Sequence, residues 1–203
     1  TVFWYIDEQG HKRGGQVVLF DQEGHTAKQT RPDGDVKRCT DWVHTALAVH
    51  FDRQHLPCPE WLKAYKTQAD KSPCLFGLPQ LRNASATQPQ PVAVVEAPKT
   101  AVLCTPYFPE FIWLAVGALS YLNEQRMAPL RGRKVVLFPD LSKEGKAFHA
   151  WSNKAKELRQ IGFNIHVSDY LEKRATQQQR EAGADLADFL LDQWEGYPPG
   201  WDF

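Results

Sequence analysis

Two carboxylates stand where apolar runs stop. Pro91-Val-Ala-Val-Val95 ends on Glu96, and Lys134-Val-Val-Leu-Phe138 ends, one proline later, on Asp140. A third run, Phe111-Ile-Trp-Leu-Ala-Val116, lies between them and closes on Gly117. Apolar runs of this length, separated by helix-sized intervals, are the pattern of strands in a parallel sheet covered on both faces. Ligands of such sheets lie beyond the carboxyl ends of the strands, so Glu96 and Asp140 are expected together at that edge. Paired carboxylates there offer the hard oxygens that Mg²⁺ or Mn²⁺ takes, and Mg²⁺ commonly uses only one or two of them, with waters and phosphates completing its octahedron. A cation so held neutralises phosphate charge and orients an attacking oxygen in phosphoryl or nucleotidyl transfer. Glu144 is near enough in sequence to reach back as a further ligand, and Lys99, Lys134 and Lys146 flank the pair as point charges for phosphate. The same residues equally suit polar caps of strand ends and solvated lysines.

The elements that must position these groups follow from Pro91 onward. Ala97–Leu103 suits a helix with Pro98 in its first turn. Lys143–Gln160 reads as a long helix, with Phe148, Trp151, Ala155 and Leu158 on one face and Gly162 as its terminator. Phe163–Val167 alternates as a fourth strand, Glu172–Gly183 reads as a polar surface helix, and Asp185–Trp194 as a last amphipathic one. Trp113 and Trp151 sit on apolar faces and are expected in the core, whereas His149 and His166 are expected to be structural or exposed. The expectation is an α/β domain over 91–194, a parallel sheet with flanking helices, followed by an irregular tail at 195–203.

Residues 1–90 read differently, as a small α+β subdomain. Thr1–Asp7 and Gln16–Asp21 are rich in β-formers and suggest a hairpin with an eight-residue connection containing Gly10 and Gly14-Gly15. A third strand fits Thr26–Thr30, between turns at Glu23-Gly24 and Pro32-Asp33-Gly34. Val43, Leu47 and Phe51 mark a helix within Cys39–Phe51, and Pro59 opens a second. Pro73–Leu78 is a compact apolar knot, and Asn83–Pro91, poor in apolar bulk, is the best boundary. Basic residues cluster at Lys12-Arg13, Lys37-Arg38 and Arg131-Gly132-Arg133-Lys134; with Trp4, Tyr5 and Trp42 they suit either a groove that stacks bases along a single strand or ordinary surface.

Composition narrows the classes. Lysine plus arginine equals aspartate plus glutamate at 24 each, which argues against a surface that is an electrostatic trap throughout. No apolar run is long enough to span a membrane and no export signal opens the chain, so a cytoplasmic protein is expected. The opening Thr1-Val2-Phe3 reads as the interior of a longer protein. The four cysteines form no Cys-x-x-Cys pair, so free thiols are expected and zinc is not. No phosphate-binding loop, dinucleotide fingerprint or nucleophile elbow is present.

The segments Val94-Val95-Glu96-Ala-Pro-Lys99-Thr100 and Val136-Leu-Phe-Pro-Asp140-Leu-Ser142 resemble the toprim domain of primases, topoisomerases and related nucleases, and most of all primase-related toprim proteins of bacterial mobile elements. The opening hairpin, Cys74-Leu-Phe-Gly77-Leu78 and Asp185-Leu-Ala-Asp188-Phe-Leu190 are similar to elements that open, precede and follow toprim in bacterial replicative primases, in the same order along nearly the whole chain. Gly145 fits the glycine after the toprim acidic pair; Ala97, Thr100 and Ser142 depart from the pattern, standing where the family has glycine, an acid in many primases, and the second aspartate.

The resemblance implies a toprim-like (Rossmann-like) domain behind a primase-like subdomain. It implies Glu96 and Asp140 as catalytic residues, binding Mg²⁺ or Mn²⁺ with Glu144; the flanking and clustered basic residues Lys99, Lys146, Lys12, Arg13, Lys37, Arg38, Arg133 and Lys134 are the expected phosphate contacts. The implied function is Mg²⁺-dependent nucleotidyl or phosphoryl transfer in replication or transfer of a mobile element. Single-stranded DNA or RNA, nucleotides and replication or mobilisation proteins would be the partners, and a membrane would not. Two other readings use the same residues: a toprim-derived binding module without chemistry, favoured by Ser142, and a toprim-type nuclease.

Overall fold

The computed structural model describes residues 1–69, 74–82 and 90–192. The chain forms two compact units, Thr1–Cys74 and Leu75–Phe203.

In the first unit, β1 (Val2–Ile6) and β2 (Lys12–Val18) form the expected antiparallel hairpin. Its connection is shorter than the sequence suggested, and the reason is Asp7. Its carboxylate accepts hydrogen bonds from the backbone N–H of Gln9 at 2.9 Å and of His11 at 2.8 Å, and from Arg13 Nε at 2.7 Å. The turn therefore closes by His11, and Gly14-Gly15 lie within β2. A Cβ on Gly15 would come within 2.8 Å of the Val43 side chain and 2.9 Å of Trp4, so this glycine serves close packing and not the turn.

β3 (Lys28–Thr30) lies where a third strand was expected, and Pro32-Asp33-Gly34 folds it back onto β4 (Val36–Arg38). The expected helix at Cys39–Phe51 starts later, because β5 (Thr40–Trp42) first pairs with β2, giving the order β1-β2-β5. Helix α1 then spans Val43–Arg53, and α2 (Glu60–Gln68) follows with Pro59 as its N-cap. Tyr65 on α2 donates its hydroxyl to the Arg13 carbonyl at 3.0 Å.

The second unit carries the α/β architecture. Strands β6 (Val92–Val95), β7 (Ile112–Ala115), β8 (Lys134–Leu137) and β9 (Asn164–Val167) form one wholly parallel sheet in the order β7-β6-β8-β9. All four residues of β6 and of β7 are buried, as helices on both faces require. Helix α3 (Pro98–Tyr107) follows β6 with proline at its start. The short α4 (Glu124–Met127) precedes β8, and α5 (Lys146–Gln160) crosses from β8 to β9. Trp113 and Trp151 are each 1% exposed, in the core as expected, and His149 and His166 are exposed.

Three expectations shift here. Lys143 belongs to a tight turn ahead of α5, closed by Gly145 in the left-handed conformation at φ +66°. The polar stretch Glu172–Gly183 is two short helices, α6 (Tyr170–Arg174) and α7 (Gln177–Ala182), because a Thr176–Gln179 capping box starts the second. The boundary between units falls before the expected linker, because Phe76 pairs with Ala115 through backbone bonds of 2.8 and 3.1 Å and Gln80 donates to the Trp113 carbonyl at 3.0 Å. Helix α8 (Leu186–Asp192) is the last described element. Most of the expected linker, the end of the last helix at Trp194 and the tail at 195–203 lie outside the described residues. Among the described residues no helix is long and apolar enough to cross a membrane.

Candidate functional site

β6 and β8 are hydrogen-bonded neighbours at the centre of the sheet. Glu96 directly follows β6, and Asp140 follows β8 after Phe138 and Pro139. The structure thus brings both predicted carboxylates to one edge of adjacent parallel strands. Leu141 N–H donates to the Ala184 carbonyl at 2.9 Å, which draws the chain leading into α8 against the Asp140 loop.

That contact brings in two acids the sequence reading left out of the site. Asp185 is 7% exposed. Its carboxylate accepts from the Asp188 backbone at 2.9 Å, and that of Asp188 accepts from the Asp185 backbone at 2.9 Å. This reciprocal pair is a capping box for α8. Thr100, fully buried on α3, donates its hydroxyl to Asp185 in a short hydrogen bond. Lys99 Nζ lies 3.4 Å from Asp188 Oδ1, with both side chains largely buried. The Asp-x-x-Asp spacing before an apolar helical run was the sequence signal for this arrangement.

The electrostatic consequence falls on Asp140. Burial, then the negative charges of Asp185, Glu96 and Asp188, push its carboxyl well above the ordinary carboxylate range, and the Lys99 ammonium opposes them only in part. A half-buried carboxyl facing an excess of negative charge retains its proton or gains a cation. The Cys104 thiol on α3 is buried and likewise pushed up, by burial and by Asp185.

The other predicted residues are placed less centrally. Lys134 begins β8 and so stands at the amino edge of the sheet, opposite the carboxylates. Arg133 donates to the Leu81 carbonyl at 3.4 Å. Glu144 is exposed, with its carboxylate 3.3 Å from Lys146 Nζ. Ser142 Oγ accepts from Ala147 N–H at 2.7 Å and caps the start of α5. In the first unit Arg13 is bound to Asp7, and Lys12 is exposed with its ammonium 6.0 Å from the Trp4 ring centre. Lys37 and Arg38 are exposed on β4. Among the described residues no three of the His, Cys, Asp and Glu side chains gather closely enough to hold an ion, so an ion at this edge would rest on at most two carboxylates.

The family described as "Domain of unknown function (DUF6371)" matches residues 1–141, and the chain belongs to it. The matched stretch includes Glu96, Lys99 and Asp140 and stops short of Asp185 and Asp188. Comparison with curated proteins finds no match, and comparison with solved structures finds none.

Proposed function

We propose that this chain is a primase-related, toprim-like protein that handles nucleic-acid or nucleotide phosphates at the carboxyl edge of its parallel sheet. The observation that carries the reading is the meeting of Glu96 and Asp140 at the tips of adjacent central strands, with Lys99 in the first turn of the following helix. The donor chemistry fits one hard divalent cation: Glu96 and Asp140 supply carboxylate oxygens, and the negative surroundings of Asp140 favour a cation there. Bound Mg²⁺ would supply charge neutralisation for a phosphate and a template for the attacking oxygen. Lys99, held against Asp188, is placed to add a positive charge beside the phosphate. Asp185 and Asp188 act as positioning groups, fixing α8 and Thr100 against the Asp140 loop.

A second reading is favoured by Thr100 and Ser142. The hydroxyls standing where the resembled enzymes carry acids are committed to the Asp185 contact and the α5 cap. On that reading the chain binds nucleic acid without chemistry. One assay separates the two: primer synthesis and strand nicking on single-stranded templates with Mg²⁺ or Mn²⁺, for wild type, Glu96→Gln and Asp140→Asn. Metal-dependent product lost in both variants supports the enzyme, and its nature separates polymerising from nuclease chemistry. Template binding with no product in any of the three supports the binding module.

A further inference from the structure

The ribbon formed by β3 and β4 is a separate two-stranded sheet. Its base is tied down by backbone bonds from Ala27 N–H to the Leu19 carbonyl at 2.9 Å, Leu19 N–H to Cys39 at 3.0 Å and Cys39 N–H to Ala27 at 2.7 Å. Beyond that base every residue from Lys28 to Arg38 is exposed. Two-stranded ribbons with no buried face are marginal on their own, so nothing in packing accounts for this one.

Its charges add a second anomaly. Lys28 is directly opposite Arg38, and like charges so placed are destabilising. Lys37, opposite Gln29, points to the other face because side chains alternate along a strand, and Arg31 begins the turn on that side. Elsewhere many basic groups have acidic partners, as in Arg13–Asp7, Lys99–Asp188, Arg131–Glu124, Lys146–Glu144, Lys173–Asp169 and Arg180–Glu172. Among the described residues Lys28, Arg31, Lys37 and Arg38 form no ion pair. Residues 28–38 carry four basic side chains against two acidic ones, Asp33 and Asp35 in the turn at the tip, so in a chain of zero formal net charge the ribbon holds a local excess of positive charge.

We propose that this ribbon enters the major groove of duplex DNA, with Lys28 and Arg38 on one face and Arg31 and Lys37 on the other reaching the phosphates of the two groove walls. The major groove, about 12 Å wide, admits a two-stranded ribbon, and cations on both faces match a slot walled by phosphate on both sides better than a flat anionic surface. The inference shares with the proposed function the premise that the chain acts on nucleic acid, but is independent of the carboxylate edge. It adds a duplex-binding element to a protein expected to work on single strands.

The test is fluorescence anisotropy of the full chain with a labelled DNA duplex, its single strand, and vesicles of anionic lipid, across a salt series. Duplex is expected to bind tightest. Because each phosphate contact contributes about 0.9 to the slope of log affinity against log salt, replacing Lys28, Arg31, Lys37 and Arg38 by Gln should reduce that slope by about 3 to 4. The Lys28→Gln/Arg38→Gln and Arg31→Gln/Lys37→Gln pairs should each remove about half of it, with circular dichroism unchanged. Lys154→Gln/Lys173→Gln, on the second unit, should leave the slope as it is, and the whole series is run in EDTA without divalent metal, so that a failure here is distinct from a failure of the metal reading. Absence of duplex binding, a single strand or vesicle bound as tightly as duplex, or an unchanged slope in the fourfold variant would overturn the proposal.

Discussion

The carboxyl edge of the second unit and the ribbon of the first are both rich in one sign of charge, but the fold treats them in opposite ways. At the edge, Asp185 and Asp188 cap a helix, bind a buried threonine and hold a lysine, and their field falls on Asp140. On the ribbon, four cations stand in water without an acidic partner among the described residues. Acids tied into helix caps have a structural explanation first, and any function must be shared with it. The exposed cations of the ribbon, with Lys28 directly opposite Arg38, have no such structural explanation, which is what motivates the proposed contact with phosphate.

The sharpest way to break this contrast is to remove Asp185. Asp185→Ala deletes the α8 cap, worth about 0.5–2 kcal/mol. It also leaves the buried Thr100 hydroxyl unpartnered at about 1–3 kcal/mol, while relieving Asp140 of one negative neighbour. A net loss of about 2 kcal/mol is expected in urea unfolding at neutral pH; no loss would make the acids functional ornaments of an indifferent scaffold. Ser142→Ala should cost about 1 kcal/mol, the worth of its bond to Ala147, and leave metal binding intact, since its hydroxyl is occupied by the α5 cap.

Titration sharpens the comparison further. The Asp140 carboxyl is raised when folded, so its contribution is fully present below the unfolded value near 4 and is lost as pH rises through its folded value. Asp7 runs the other way. Burial alone would raise it, but hydrogen bonds from the His11 backbone and the Arg13 and His11 side chains outweigh that and hold it at about 2. Its contribution is present above about pH 4 and is lost as pH falls through about 2. Unfolding followed from pH 7 to pH 3 should show Asp140→Asn flattening one trend and Asp7→Asn the other; the same sign for both would contradict the electrostatic account. The smallest effect belongs to the ribbon, where the fourfold glutamine variant should shift stability by no more than about 0.5 kcal/mol.

The second unit was legible because its signals agree. Pro91–Val95, Phe111–Val116 and Lys134–Phe138 are nearly continuous apolar runs at helix-sized intervals, the pattern of strands in a covered parallel sheet; the carboxylates that follow the first and third then fall at one edge. The first unit was harder, because short polar strands such as Lys28–Thr30 and Thr40–Trp42 carry no apolar alternation and exist through partners and turns. Gly14-Gly15 read as a turn because close packing against Trp4 and Val43 cannot be seen in one dimension. Asp185 and Asp188 were visible as a motif, yet their approach to Asp140 depends on the bond from Leu141 to Ala184, a long-range contact that no local spacing encodes.

The most direct test of the central claim is calorimetric titration of Mg²⁺ and Mn²⁺ into wild type and into Glu96→Gln/Asp140→Asn, repeated with a single-stranded oligonucleotide present. Wild type is expected to bind the cation saturably, with proton release wherever Asp140 is still protonated, and the double variant to lose that binding. Absence of binding in both conditions, or equal binding by the two proteins, would contradict it.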